Sequence, residues 1–156
     1  MSIKLSSGED GFVEDITWRS TTIRAASDHI IIIPNSKLAD MTVSNYYLPH
    51  HEVTFSVEVT VSYDSDLARV EKITSEVIKE TLQESAEGVK DFKPEIRFFA
   101  FGESNIKLKA FMRVNNYSAQ FEVRSEFIKK IQARYKLEGI NIPYPVQTVF
   151  LKKEAE

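Results

Sequence analysis

Cysteine is absent from the 156 residues, which excludes disulfides, thiolate zinc fingers and cysteine nucleophiles and fits a cytosolic location. Glycine and proline occur only five times each, too sparsely for a collagen-like or low-complexity chain. Charge of one sign is lacking too. The net charge of −3 gives no overall attraction to nucleic acid or anionic membrane. Long apolar runs are missing: Ile30–Ile33 is the longest aliphatic stretch and Pro34 closes it, whereas a membrane helix needs roughly 20 apolar residues. Met1–Asp10 carries no apolar signal-peptide region. Neither a P-loop, a dinucleotide glycine fingerprint nor a nucleophile elbow occurs. No cofactor is expected. On these terms the chain reads as soluble.

What is present divides into two patterns. The first third has no helical periodicity. Ile3–Leu5 is a short apolar patch, and Ser6–Gly11 is a cluster of turn formers. Phe12–Arg19, Thr21–Arg24 and Ile30–Ile33 are rich in β-branched and aromatic residues, with Ser27-Asp28 as a hairpin turn and Met41–Tyr47 closing the region. Short strands at this spacing predict a small β-barrel or sandwich. Leu48-Pro49-His50-His51 then breaks the pattern, because proline cannot donate to a strand ladder and restricts its predecessor.

Beyond the break, Val53, Phe55, Val57, Val59 and Val61 alternate with polar residues, the period of a half-buried strand. Asp64, Ser65 and Asp66 offer N-caps for a helix carrying Leu67, Val70, Ile73, Val77, Ile78 and Leu82, with Gly88 as its stop. Ile96–Phe101 has apolar residues on both faces and is expected to be a central strand. Gly102–Asn105 is a hairpin connection to the alternating Ile106–Val114. Ser118 is the expected cap of a second helix bearing Phe121, Phe127, Ile128, Ile131 and Tyr135, ended by Gly139. Val146–Leu151 is a last strand. The order strand, helix, strand, strand, helix, strand is that of a split βαβ, ferredoxin-like domain, with both helices on one face of the sheet.

Few residues suggest chemistry. Gly11–Arg19 echoes the phosphate-cradling loop of acylphosphatases, but Glu14-Asp15 would bring two carboxylates to the anion, and the stretch lies in the wrong domain. An enzyme is therefore not expected. His29, His50 and His51 are the only histidines. Adjacent residues of an extended segment point to opposite sides, so His50 and His51 do not form a metal site together. Lys129, Lys130, Arg134 and Lys136 form a basic stretch with Glu122 and Glu126 interspersed, read as a solvated helix face rather than an RNA surface.

Four segments in order carry a resemblance. They are Gly11-Phe12-Val13-Glu14-Asp15-Ile16-Thr17-Trp18-Arg19-Ser20-Thr21-Thr22-Ile23-Arg24, then Ile31-Ile32-Ile33-Pro34-Asn35-Ser36 with Asn45-Tyr46, then Val61-Ser62-Tyr63-Asp64, and finally Gly139-Ile140-Asn141-Ile142-Pro143-Tyr144-Pro145. Together they resemble the family of small-conductance mechanosensitive channels, with Gly11, Pro34, Asn35, Asn45, Pro143 and Pro145 as markers of the fold. The resemblance implies an α+β chain: a small Sm-like β domain over residues 1–48, a ferredoxin-like α/β domain over 49–142, and a C-terminal barrel strand and tail over 143–156. It also implies a fragment without its membrane helices, starting inside the first strand of the β domain.

By the same resemblance, the chain would be the cytoplasmic cage of a channel that answers membrane tension in osmotic downshock. It would sit at the cytoplasmic face of the cell membrane, serving as assembly platform and ion filter. Its partners would be six further copies of itself in a heptamer, together with permeating ions. Membrane contact would come only through the absent transmembrane part, and no nucleic acid is expected. Val146, Thr148 and Phe150 would join neighbouring copies in a barrel. His50, His51 and Glu52 are expected beside a portal, where ring-repeated charge biases ion entry and histidine makes that bias pH-dependent. The alternative reading is a soluble oligomeric module that binds a small ligand between its domains.

Overall fold

The computed structural model describes residues 1–25, 27–46 and 51–145. The first part is an antiparallel sheet of β1 (Ser2–Leu5), β2 (Asp10–Ile16), β3 (Ser20–Ala25), β4 (Ile30–Pro34) and β5 (Val43–Asn45), in the order β4-β3-β2-β1-β5. The Ile3–Leu5 patch is thus a strand, and the first hairpin turns at Thr17–Arg19 rather than continuing to Arg19 as one strand. Ser27-Asp28 does make the next turn, with Asp28 in the left-handed region at φ 67°, a conformation its short polar side chain tolerates. Ile3, Leu5, Ile23 and Ile33 are buried together, with Val13, Ile31 and Leu38 packed against them. Leu38 comes from α1 (Asn35–Ala39), a short helix that the sequence pattern does not announce.

The second part joins β6 (Val53–Val61), α2 (Leu67–Glu84), β7 (Glu95–Phe101), β8 (Ile106–Val114) and α3 (Ala119–Leu137). Its sheet order is β6-β8-β7, antiparallel throughout. The expectation that Ile96–Phe101 is central is therefore corrected: β8 is central and β7 is an edge among the described residues. The apolar residues on both faces of β7 have another cause. Ile96 and Phe98 pack toward the core. Phe99 and Phe101 stand on the outer side, where the Lys109 ammonium lies 4.9 Å from the Phe99 ring centre and Tyr63 stacks on Phe101 at 6.1 Å.

Every second residue of β8 from Ile106 to Val114 is buried, facing Phe55, Val57, Val59 and Val61 and the stripes of α2 and α3. The opposite face of β8 carries Lys107, Lys109, Phe111 and Arg113, with Glu58 paired to Lys107 at 3.7 Å. Asp66 is the N-cap chosen among the three candidates, its carboxylate accepting from the Ala68 and Arg69 amides. Ser118 holds the N-cap position of α3, but its side chain makes no capping hydrogen bond. The Asn116 Oδ1 accepts from the Ala119 amide at 3.0 Å instead. Phe121 and Ile128 are exposed, not part of the α3 stripe. The buried stripe runs Val123, Phe127, Ile131, Tyr135, spaced by four, and the other two fall off that line. Inside the core the Thr74 hydroxyl meets the Val70 carbonyl and the Tyr135 hydroxyl, both at 2.6 Å. Burial pushes the Tyr135 phenol up.

The helix α2 stops at Glu84, before Gly88. The Lys90 ammonium donates to the carbonyls of Leu82 and Gln83 at 2.7 Å and to that of Ser85. These are carbonyls that a helix end leaves unpaired, at the negative pole of its dipole. Lys90→Met is expected to destabilise the chain by about 1 kcal/mol and to speed amide exchange around Glu84 and Ser85. Unchanged exchange there would show that the ammonium is ornamental.

Candidate functional site at the junction of the two sheets

The two sheets meet where β5 hands over to β6. The Tyr46 amide donates to the Ser2 carbonyl at 3.0 Å, which ties the end of β5 to β1. The Tyr46 ring then stacks on Tyr117, 4.3 Å between centres and 21° between planes. Phe121 meets Tyr117 edge-on at 5.8 Å. Tyr117 sits in the loop between β8 and α3, whose shape is fixed by Glu87: its carbonyl accepts from the Asn115 amide and its carboxylate from the Asn116 side chain. Desolvation pushes the Tyr117 phenol up, with the neighbouring Tyr46 and Asp10 acting in the same direction and Arg124 against them.

A cleft of about 150 Å³ opens here, lined by Phe12, Tyr46, His51, Asn116 and Tyr117 among others. It is smaller than the usual pocket for a drug-sized ligand, roughly 300–1,000 Å³. Charge stands just ahead of β6, one residue beyond the His51 that lines the cleft. Glu52 pairs with Arg113 at 3.5 Å. Arg113 also donates to the Thr54 hydroxyl and lies 5.1 Å from the Phe92 ring centre. Arg124 covers Phe55 at 5.4 Å. The junction thus holds a cluster of three aromatic rings, with Arg113 and Arg124 lying over the nearby Phe92 and Phe55. Sequence reasoning missed Tyr117, Arg113 and Arg124. Tyr46 enters the sequence reading only through the Asn45-Tyr46 step of the resemblance.

The expected site residues are distributed as follows. His51 and Glu52 stand at the junction, and His50 lies outside the described residues, as do Val146, Thr148 and Phe150. Gly11 is buried between β1 and β3, opposite Ile3 and Ala25. Pro34 closes β4 opposite Ser20. Asn35 braces the neighbouring hairpin: its side chain accepts from the Thr21 hydroxyl at 2.9 Å and donates to the Thr17 carbonyl at 2.8 Å. Asn45 pairs with Ile3 and reaches the Met1 sulfur at 3.4 Å. Pro143 and Pro145 follow α3, just beyond Asn141, whose carbonyl accepts from the Ser62 amide. The phosphate-loop echo dissolves, since Glu14 pairs with Arg24 and Arg19 lies over Trp18. Three of the four basic residues are engaged in ion pairs: Lys130 meets Glu80 and Glu84 of α2, Arg134 meets Glu76 of α2 and Glu138 at the end of its own helix, and Lys129 meets Glu126 within α3. Among the described residues no helix is long and apolar enough to cross a membrane.

Residues 3–48 match the family model described as the β-domain of mechanosensitive ion channels. Residues 55–142 match that described as the C-terminal region of the mechanosensitive ion channel MscS. The large-conductance mechanosensitive channel MscMJLR of Methanocaldococcus jannaschii is 32% identical over 95% of this chain and 42% of its own length. The small-conductance channel MscMJ of the same organism is 27% identical over 94% and 41%. The chain spans about two-fifths of the length of these curated relatives. Among solved structures, closed-state MscS of Helicobacter pylori superimposes with a TM-score of 0.79 at 22% identity, over 98% of this chain and 58% of that one. MSL1 of Arabidopsis thaliana gives 0.65 at 18% identity, over 92% and 52%.

Proposed function

Because the chain belongs to the MscS family of mechanosensitive ion channels, whose members are channels and not enzymes, we propose that it forms the cytoplasmic body of such a channel, at the cytoplasmic face of the membrane. The supporting observation is that both family matches fall in order along nearly the whole chain, residues 3–48 and then 55–142. In this reading residues 1–48 are an Sm-like domain, 49–142 a ferredoxin-like domain, and 143–156 a barrel strand and tail built on Val146, Thr148 and Phe150. Seven copies enclose a cage that serves as assembly platform and ion filter in a channel answering osmotic downshock.

The exposed apolar strand edges favour assembly. β4 ends one sheet with Ile30 and Ile32 uncovered, and β7 ends the other with Phe99 and Phe101 uncovered. Edges of this kind invite pairing unless another copy covers them. His50, His51 and Glu52 are proposed to border a portal at the junction. There Arg113 offsets the Glu52 charge, so the ring potential at the portal is weaker than three bare residues would give. Light scattering behind size exclusion is expected to return a mass near seven subunits. A monomer at all concentrations would remove the assembly role of this part of the chain.

A further inference from the structure

The β2–β3 hairpin tip is an exposed apolar structure that is held rigid. Trp18 is 85% exposed and Ile16 62% exposed, while Ile32 on the neighbouring β4 is 67% exposed. The turn is braced by hydrogen bonds on both sides of Trp18. The Thr17 hydroxyl donates to the Ser20 carbonyl and accepts from the Ser20 amide, both at 3.0 Å. Asn35 donates from its side chain to the Thr17 carbonyl and from its amide to the Arg19 carbonyl, both at 2.8 Å. The Arg19 guanidinium lies 5.1 Å from the Trp18 ring centre. The fold thus spends hydrogen bonds on displaying a tryptophan and an arginine to the outside.

Strand direction says what lies at that end. β1 runs antiparallel to β2, with Lys4 opposite Asp10 and Ser2 opposite Phe12, and the Val13 amide donates to the Met1 carbonyl. Going backwards along β1 therefore leads toward Ile16 and the tip. The relatives are more than twice as long as this chain. A membrane-crossing segment joined ahead of Met1 would leave the sheet at the tip end and set the tip facing the bilayer.

We propose that this tip is a membrane-interface anchor, in which Trp18 and Ile16 enter the headgroup layer and Arg19 meets lipid phosphate. Tryptophan favours this layer because its ring is apolar and its indole N–H is polar. The aliphatic stem of arginine can lie along apolar surface while its head stays at phosphate level. The net charge of −3 adds no general attraction, so the tip must carry binding itself, on zwitterionic as well as anionic lipid. The inference rests on the reading of the chain as part of a membrane channel.

Trp18 is the only tryptophan in the chain, so its emission reports the tip directly. Titration with vesicles of phosphatidylcholine, alone or mixed with phosphatidylglycerol, is expected to shift that emission to the blue, and brominated lipids should quench it. Trp18→Ala should lower the fraction pelleting with vesicles about tenfold, the scale expected for losing one buried side chain. Ile16→Ser keeps the probe and should weaken the blue shift. Amide exchange of residues 2–25 checks that both variants remain folded. Unchanged emission and no pelleting at high lipid would overturn the proposal. So would emission already blue and shielded from acrylamide without lipid, which would mean that a second copy covers the tip. A heptameric mass with no lipid response would sink the anchor and leave the assembly reading standing. A monomer that binds vesicles would do the reverse.

Discussion

Replacing Phe127 with alanine is expected to cost about 3–5 kcal/mol, the range for emptying an aromatic site in a close-packed core. Phe127 is fully buried in the cluster that joins α2, α3 and the second sheet. One turn away on either side lie Val123 and Ile131, also buried, so the α3 stripe has no spare residue to fill the hole. The sheet cannot close on it easily either. β8 is laddered to β6 on one side and to β7 on the other, and its core-facing residues Leu108, Ala110 and Met112 are fully buried. A loss of that size is a large part of the roughly 5–15 kcal/mol that holds an ordinary domain.

The two cores share no buried residue. The loss should therefore stay local. Hydrogen exchange is the suitable probe, because it resolves segments that open separately. Exchange should accelerate over β6, α2, β8 and α3 and stay unchanged over β1–β4. Phe127→Leu, which keeps most of the volume, should cost under about 1.5 kcal/mol. Equal acceleration in both parts would show that the sheets unfold as one unit.

Much of this fold is written in periodicity. β6 and β8 alternate over nine residues each, and the α2 stripe recurs at helical spacing, so strand and helix are legible without any partner. Sequence reading failed where the cause lies elsewhere in the chain. β7 carries apolar side chains on both faces like a buried strand, yet it is an edge. A strand edge that another copy would cover has the same composition as a central strand, and composition cannot tell them apart. Phe121 looked like core because it is aromatic and helical. It belongs instead to the Tyr117 and Tyr46 group at the junction. That group joins residues 71 positions apart through loops, where no period exists to reveal it. The role of Asn35 was half visible. Pro34 marks the strand end, but the bonds of Asn35 to Thr17 and Thr21 depend on strand register, which the sequence does not print. Lys90 as the cap of α2 was invisible for the same reason, since the capping ammonium arrives from beyond the turn.

Gly11→Val is expected to be the most damaging single change in the first sheet, at about 3 kcal/mol. Gly11 is buried in the middle of the sheet, between Ile3 on β1 and Ala25 on β3. A Cβ there would press on the Arg24 carbonyl oxygen, 2.8 Å from its carbon and 2.9 Å from the Ile23 methyl. Those obstacles are mostly backbone, so no rotamer change relieves them. The strands would have to part, and the ladder between β2 and β3 would be lost close to the Val13–Asp15 bulge that already bends it. Four buried apolar residues hold this core, each worth roughly 1.5–3 kcal/mol before the entropy of ordering is subtracted. So small a core has little reserve against a displaced strand. Exchange over β1–β4 should become fast while α2 and α3 stay protected, the mirror image of Phe127→Ala. Gly8→Ala supplies the contrast. No atom lies within 4 Å of a Cβ at Gly8, and only its φ of 103° resists a side chain, so a loss of about 1 kcal/mol is expected. If the two glycine variants were equally mild, close strand approach would not be what the Gly11 position demands.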